Sequence, residues 1–333
     1  MKIAVLGSGG WGTALAILLL ENGNEVTLWS YTEEESARLQ SSRENPLLPE
    51  VTLPEGLRFS TDLSCVSSCD LVVMATPSFA VRNTSRQVRP LLKPDTILVS
   101  VSKGIEKDSS LRLSQVIREE TGGDFPVVVL SGPSHAEEVA RHVPTACVAA
   151  CEDCALAERV QDVFLNERFR VYSSTDVVGV ELGAALKNVM ALCAGCCAGM
   201  GYGDNTKAML MTRGLAEMAR LGVALGADRE TFAGLTGMGD LIVTCTSLNS
   251  RNNRAGILIG KGVPIQEAIA QIGAVVEGYF AVDSARTLAQ KVGVEMPITE
   301  AAYRILYQGA EIRTVISELM QRKKRHETEE RWA

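Results

Sequence analysis

Histidine is scarce in this chain: His135, His142 and His326 are the only three among 333 residues. None lies near the two cysteine bunches at 151–154 and 193–197, so no metal-ligand spacing is present and no metal centre is expected. The nine cysteines are an odd count. Cys193, Cys196 and Cys197 sit at helical spacing among Ala and Gly, which reads as small apolar packing in a reducing compartment, hence the cytoplasm. A targeting segment is not expected either, because strand-like sequence starts at Lys2. No apolar run reaches the roughly 20 residues that a membrane-spanning helix needs. Excess positive charge is missing too. The net charge of −7 argues against a general nucleic-acid or membrane surface, so an anionic small molecule must meet a local group of Lys and Arg. Repeats and low-complexity tracts are absent.

What is present is ordinary globular composition, 46% hydrophobic and 22% charged, in a chain long enough for two domains. Its most telling segment is Gly7-Ser8-Gly9-Gly10-Trp11-Gly12. The segment follows the apolar run Ile3–Leu6 and opens the apolar stretch Trp11–Leu20. A strand feeding a Gly-x-Gly-x-x-Gly turn into a helix is the pattern of a dinucleotide-binding βαβ unit. Gly7 permits the turn, Gly9 lets amides approach a pyrophosphate, and Gly12 lets the helix pack on the strand. The N–H groups at the helix start then face the anion.

Strand signals recur at Lys2–Leu6, Glu25–Trp29, Leu71–Ala75, Thr96–Val101, Val127–Leu130 and Ala146–Ala149. Near-continuous apolar runs of this kind indicate strands buried on both faces of a parallel sheet. Intervening helical patterns such as Ser109–Glu120 make the fold class α/β, a doubly wound Rossmann-type sheet. Beyond about residue 175 only helical patterns follow: Val177–Ala194, Ala208–Leu221, Val263–Gln271, Tyr279–Val292 and Thr299–Gln308. The expected division is a dinucleotide-binding domain over 1–178 and an all-α domain over 179–333, with a charged, solvated tail from Arg322.

Several residues are candidates for chemistry. Tyr31 closes the second strand, where an acidic or basic residue would read the adenosine ribose, so NAD and NADP both stay open. Glu33, Glu34 and Glu35 fit a helix start, with Thr32-x-x-Glu35 as a capping box. The loops Ala75–Ser78, Ser102-Lys103-Gly104 and Ser131-Gly132-Pro133-Ser134-His135-Ala136 all lie at carboxyl ends of strands, where ligands bind in open α/β sheets.

Lys187 lies on a face with Val180, Gly183, Ala184, Met190, Ala191 and Ala194. Such a lysine is either an acid/base of depressed pKa or one that snorkels to solvent. Asp240 shares a helical face with Thr244, and either caps that helix or orients a lysine or substrate hydroxyl. Ser250 reads as an N-cap, which puts Arg251 and Asn252 in a first turn. Cations are unfavourable there unless an anion is bound. His135 beside a Gly-Pro turn reads as structural, with a general acid as the other possibility. Gly199-x-Gly201-x-Gly203 reads as a connection between helices.

Together with the glycine turn and Ser102-Lys103-Gly104, the segments Ser131–Ser134, Glu181-Leu182-Gly183-Ala184-Ala185-Leu186-Lys187-Asn188 and Thr212–Met218 run in order along the chain. Gly239-Asp240-Leu241, Thr244-Cys245-Thr246, Ser250-Arg251-Asn252, Val275–Tyr279 and Met296–Glu300 continue the series. This set resembles the bacterial-type NAD(P)-dependent glycerol-3-phosphate dehydrogenases over nearly the whole length.

The resemblance implies reversible hydride transfer between dihydroxyacetone phosphate and sn-glycerol 3-phosphate, feeding glycerophospholipid synthesis, with NAD or NADP as cofactor. It implies Lys187 as the acid/base at the C2 oxygen, with Asp240 and Lys103 beside it. Lys103, Gly132, Ser134, Asn188, Asp240, Thr244, Ser250, Arg251 and Asn252 surround the substrate in that reading. Gly7, Gly9, Gly10, Trp11, Gly12, Tyr31, Lys103, Ala136, Arg251, Val275 and Glu277 meet the cofactor. Tyr31, His135 and Asn253 depart from residues frequent in that pattern. A homodimer is the default assembly, with a phosphorylated triose as the only other partner, no nucleic acid and no membrane insertion. Two other readings are a related hydroxyacid dehydrogenase with a carboxylate substrate and a non-catalytic dinucleotide sensor.

Overall fold

The computed structural model of the chain describes residues 1–324, 326 and 327. The expected solvated tail falls partly outside these residues; its described part is exposed.

Eight strands form one sheet in the order β3-β2-β1-β4-β5-β6-β7-β8. They are β1 (Lys2–Leu6), β2 (Glu25–Trp29), β3 (Arg58–Ser60), β4 (Leu71–Met74), β5 (Ile97–Ser100), β6 (Val127–Ser131), β7 (Thr145–Ala150) and β8 (Phe169–Ser174). All neighbours are parallel except β6 and β7, which pair antiparallel. The apolar runs form strands because both faces are covered: β4, β5 and β6 are buried at every position.

Helices α1 (Gly10–Glu21), α2 (Glu33–Ser42), α3 (Val81–Val88), α4 (Leu113–Glu120), α5 (Ala136–Ala140) and α6 (Cys154–Phe164) flank the sheet. Two apolar cores occupy its two faces, one built on α1 and α6, the other on α3 and α4. Strand order reverses at β1, between β2 and β4, which opens a crevice at the carboxyl ends of those strands.

The remaining helices are α7 (Val177–Gly199), α8 (Asp204–Ala224), α9 (Arg229–Ala233), α10 (Asp240–Thr246) and α11 (Arg251–Gly260). The chain closes with α12 (Ile265–Ile272), α13 (Glu277–Val292), α14 (Pro297–Gln308) and α15 (Ile312–Met320). They share a separate apolar core centred on α7.

At 23 residues, α7 runs longer than the sequence pattern indicated. By length and composition it is apolar enough to cross a membrane, which corrects the expectation that no such run exists. However, 89% of its apolar window is buried in the protein's own core. A helix apolar all round is what the centre of a helical domain requires. Glycines on both helices let α7 and α11 approach to backbone contact: a Cβ on Gly195 of α7 would stand 2.0 Å from the Asn253 carbonyl oxygen, and one on Gly256 of α11 2.1 Å from that of Leu192. That contact fixes Arg251, at the start of α11, relative to Lys187 in the middle of α7. The cysteines are all free thiols; on α7, Cys196 is part of the helical core and Cys193 packs against it, while Cys197 is half-buried.

Candidate active site

The glycine turn connects β1 to α1 at the switch point. Gly7 has φ +122, a conformation open to glycine at little cost. Gly12 packs against the turn itself, since a Cβ there would meet the Gly7 carbonyl oxygen at 2.0 Å. Around Gly9 there is open space. Gly9 is the N-cap of α1 and has no side chain to cap it, so the first N–H groups of the helix are left for a ligand. The Trp11 indole N–H is buried without a partner. Ala136, at the start of α5, lies against Gly10. Tyr31 stands 82% exposed past the end of β2, edge-on to Trp29. Thr32 caps α2 by accepting from the Glu35 amide, so the three glutamates belong to a helix start. These features fit a dinucleotide, with its pyrophosphate at the α1 terminus.

Asn45 holds the turn from outside, and sequence reading missed it. Its side-chain amide donates to the Ser8 carbonyl at 3.0 Å and to Thr13 Oγ1 at 2.8 Å. Only its place in a turn-rich segment before Pro46 signals it. Ser78, in the candidate loop Ala75–Ser78, has a role that the loop's placement did not specify: its hydroxyl donates to Glu277 Oε2 at 2.8 Å and bridges the two halves. Burial raises the Glu277 carboxyl, with Ser78 and the Arg251 charge opposing.

Across the crevice, Lys187 is 6% exposed and does not reach solvent. Its ammonium donates to Asp240 Oδ1 at 2.6 Å and to Thr244 Oγ1 at 2.8 Å. Asp240, at 1% exposure, accepts from Lys103 Nζ at 2.8 Å on its other oxygen. Lys103 also donates to the Gly132 carbonyl at 3.0 Å and to Ser134 Oγ at 3.3 Å. Asp240 is therefore not a cap. It follows a π-helical turn, Leu235–Gly239, that ends in Gly239, the N-cap residue of α10. Thr244 lies one turn further on, and its hydroxyl also donates to the Asp240 carbonyl at 2.6 Å.

Burial pulls the Lys187 ammonium down to about 8, and the Lys103 charge adds to that while Asp240 opposes it. Burial pushes the Asp240 carboxyl up, yet the two ammoniums outweigh it and hold the group below its ordinary value. Two cations on one anion leave an excess positive charge at a largely buried site, where an alkoxide or phosphate is stabilised most.

The remaining sequence candidates take different places. Asn252 donates to Asn188 Oδ1 at 2.9 Å and accepts from the Gly278 amide at 2.8 Å, tying α11 to α7 and α13. Ser250 caps α11 through the Asn253 amide at 3.2 Å. Arg251 is exposed in the first turn, and Val275 is half-buried before α13. Asn253 is buried and donates to the Cys245 carbonyl at 3.0 Å, so it packs helices together. His135 is half-buried with Nε2 unpartnered. Burial, then the Lys187 charge, lowers its pKa. Among the described residues no group of three metal-ligating side chains occurs.

Family models match both parts of the chain: the NAD-dependent glycerol-3-phosphate dehydrogenase N-terminus over residues 2–157, and the C-terminus of the same name over residues 176–317. The chain is 52% identical to the glycerol-3-phosphate dehydrogenase [NAD(P)+] of Thermoanaerobacter sp. over 328 residues, which covers 98% of this chain and 99% of that one. It is 49% identical to the enzyme of that name from Desulfitobacterium hafniense over 330 residues, 99% of this chain and 94% of that one. A crystal structure of glycerol-3-phosphate dehydrogenase from Coxiella burnetii superposes with a TM-score of 0.93 at 38% identity, covering 96% and 99% of the two chains.

Proposed function

Since the chain belongs to the NAD-dependent glycerol-3-phosphate dehydrogenase family, we propose that it interconverts dihydroxyacetone phosphate and sn-glycerol 3-phosphate with NAD(H) or NADP(H), using Lys187 as the acid/base. The observation that carries the assignment of roles is the bridge of Lys103 and Lys187 on one buried carboxylate, Asp240.

When bound at the glycine turn, the reduced nicotinamide would supply a hydride, two electrons and one hydrogen nucleus, to C2 of the ketone. Negative charge grows on the C2 oxygen, and the Lys187 ammonium gives that oxygen a proton as the C–H bond forms. A pKa of about 8 keeps most Lys187 protonated at neutral pH yet makes it a readier donor than an ordinary lysine. Asp240 and Thr244 hold Nζ in place, and Lys103 adds positive field at the same oxygen. Solvent restores the proton after release. Oxidation reverses each step, with neutral Lys187 taking the hydroxyl proton.

Arg251 receives the phosphate at the first turn of α11, where helix amides and guanidinium act together. Asn188, Asn252, Gly132 and Ser134 line the space between that anion and Lys187. The glycine turn, Trp11, Tyr31, Ala136, Val275 and Glu277 receive the cofactor. The family relation further supports glycerol 3-phosphate as a precursor for glycerophospholipids, and a cytoplasmic homodimer as the working form. A carboxylate substrate is the rival, and Arg251 in a helix first turn favours phosphate over it.

Initial rates with dihydroxyacetone phosphate and either NADH or NADPH test the proposal. Turnover with one or both coenzymes is expected. Turnover of a 2-keto acid with none of the triose phosphate would overturn it.

A further inference from the structure

Glu181 lies on α7, in the helical half, six residues before Lys187. It is buried, and its carboxylate leaves that half altogether. Oε1 accepts from the Ser114 amide at 2.8 Å and Oε2 from the Ser114 hydroxyl at 2.6 Å. The Arg112 guanidinium makes an ion pair with it. Glu181 thus caps the N-terminus of α4 from outside, beside Gln115 of α4 itself, whose side-chain oxygen accepts from the Arg112 amide at 3.0 Å. Helix α7 does not need Glu181 for its own start, because Asp176 caps it through the Gly179 amide.

Arg112 is also one end of a small hairpin. An isolated antiparallel bridge joins it to Ile105, two residues past Lys103. Although it follows β5 in the sequence, Ile105 is buried in the core of the helical half. The Ser284 hydroxyl on α13 donates to its carbonyl at 3.4 Å, and Lys291 donates to Ser110 Oγ at 2.9 Å. From the sheet side, Arg82 grips Glu106 with two bonds at 2.8 and 2.7 Å. The segment 105–112 is therefore a strap held by both halves, with Lys103 at its root.

We propose that Glu181 is a positioning residue: through Arg112 and Ser114 it fixes the strap against α7, and so sets Lys103 onto the Asp240 oxygen opposite Lys187. The proposal rests on the acid/base role of Lys187. Two parts of the site that come from different halves are placed by one buried ion pair outside it. Neutralising Glu181 leaves Arg112 without its partner at a largely buried position, and this releases the strap. Lys103 then withdraws from Asp240. Its positive field at Lys187 weakens, and Asp240 turns wholly to Lys187; both changes favour the protonated amine. The other ionisable groups that face Lys187 are His135, Cys147 and Cys245, and none of them touches the strap.

The test compares the wild type with Glu181→Gln and with the milder Ser114→Ala. It measures kcat for dihydroxyacetone phosphate against pH, the dissociation constant for NADH by fluorescence, and the thermal midpoint. Expected for Glu181→Gln is a fall in kcat of about ten-fold or more. The alkaline limb should move up by about half a pH unit or more, while NADH still binds, because the glycine turn is no part of the strap. Ser114→Ala should shift the limb the same way by less. An alkaline limb that stays at its wild-type position in both variants overturns the proposal, whatever happens to kcat. If Glu181→Gln does not fold, Ser114→Ala decides alone by the same criterion. A wild type that lacks turnover, or a limb that Lys187→Arg leaves unmoved, fails the underlying reading instead.

Discussion

Lys103 and Lys187 hold opposite oxygens of the same carboxylate, at 2.8 and 2.6 Å from Asp240. Lys103 comes from the loop after β5 and Lys187 from the middle of α7, so the pair exists only when both halves of the chain meet. The site has one more cation than anion, and the deficit is where a substrate's charge fits.

Removing the acid tests the chemistry directly. Lys187→Ala should lower kcat by about 10²- to 10⁴-fold, the usual range for a positioned proton donor. Cofactor binding, set by the turn on the other side of the crevice, should change little. In the wild type, ketone reduction should fall as pH rises past about 8, because the donor loses its proton there. Alcohol oxidation should rise through the same interval. Asp240→Asn removes the one anion between two ammoniums, so the limb should move to lower pH. A pH–rate profile of Lys187→Ala identical to wild type would remove the acid/base assignment.

Arg251→Ala should act mainly on KM for the triose phosphate, raising it about ten-fold or more. Arg251 is exposed and its backbone sits in a well-capped helix, so folding should be unaffected. Some loss of kcat is expected if the phosphate anchors C2 under the nicotinamide. Steady-state rates over a range of substrate concentration separate the two effects. Unchanged KM and kcat would exclude Arg251 as the phosphate clamp.

The sequence made Lys187 conspicuous because a lysine is costly on a face of Val, Gly and Ala, and it made Thr244 a companion of Asp240 through their four-residue spacing. Spacing alone left Asp240 as either a cap or a group that orients a lysine; its place beside Lys187, 53 residues away, came only from the family resemblance, since no local pattern encodes a contact between α7 and α10. Glu181 stood in plain view six residues before Lys187, but its partners Arg112 and Ser114 lie in the other half. The central strands were legible as apolar runs. Two edge strands were not: β3 is three residues with a charged member, and β8 alternates buried Phe169 and Val171 with exposed Arg170 and Tyr172. The antiparallel pairing of β6 with β7 also went unread, because strand direction is set by the connection and not by composition.

Glu217 offers a pH effect on stability that is separate from catalysis. It is buried on α8 and caps α14 from outside, accepting from the Ile298 amide at 2.6 Å and from Thr299 at 3.3 Å. Burial raises its carboxyl from 4.5 to about 7, with those amides opposing. The folded state therefore holds a proton that the unfolded chain releases above about 4.5. Stability contributed by Glu217 is fully present below that pH and is lost as pH rises through 7, by about 3 kcal/mol at most. Burial and the Lys187 charge lower the His135 pKa, which works in the opposite sense below 6.5, so the comparison must be between variants. The difference in unfolding free energy between wild type and Glu217→Gln, measured by denaturant at pH 5 and pH 8, should move in favour of the variant at the higher pH. A difference that is the same at both values would show that Glu217 is ionised throughout.

Gly9 and Gly12 should fail for different reasons when each becomes alanine. At Gly12 the new methyl meets the Gly7 carbonyl oxygen at 2.0 Å and Ala75 Cβ at 3.1 Å. Neither neighbour can yield without moving β1 or α1, so Gly12→Ala should cost about 1–3 kcal/mol of stability or more and lose cofactor binding with it. At Gly9 nothing lies within 4 Å, and φ is −61, which alanine accepts. Gly9→Ala should therefore fold as well as wild type. Its methyl instead projects into the space left for the pyrophosphate, so the dissociation constant for NADH should rise about ten-fold or more, with KM for the coenzyme following it. Thermal midpoints and NADH fluorescence titrations on the two variants separate a packing role from a binding role. If Gly9→Ala binds NADH like the wild type, the pyrophosphate does not pass over Gly9, and the anion has to be placed elsewhere on the α1 terminus.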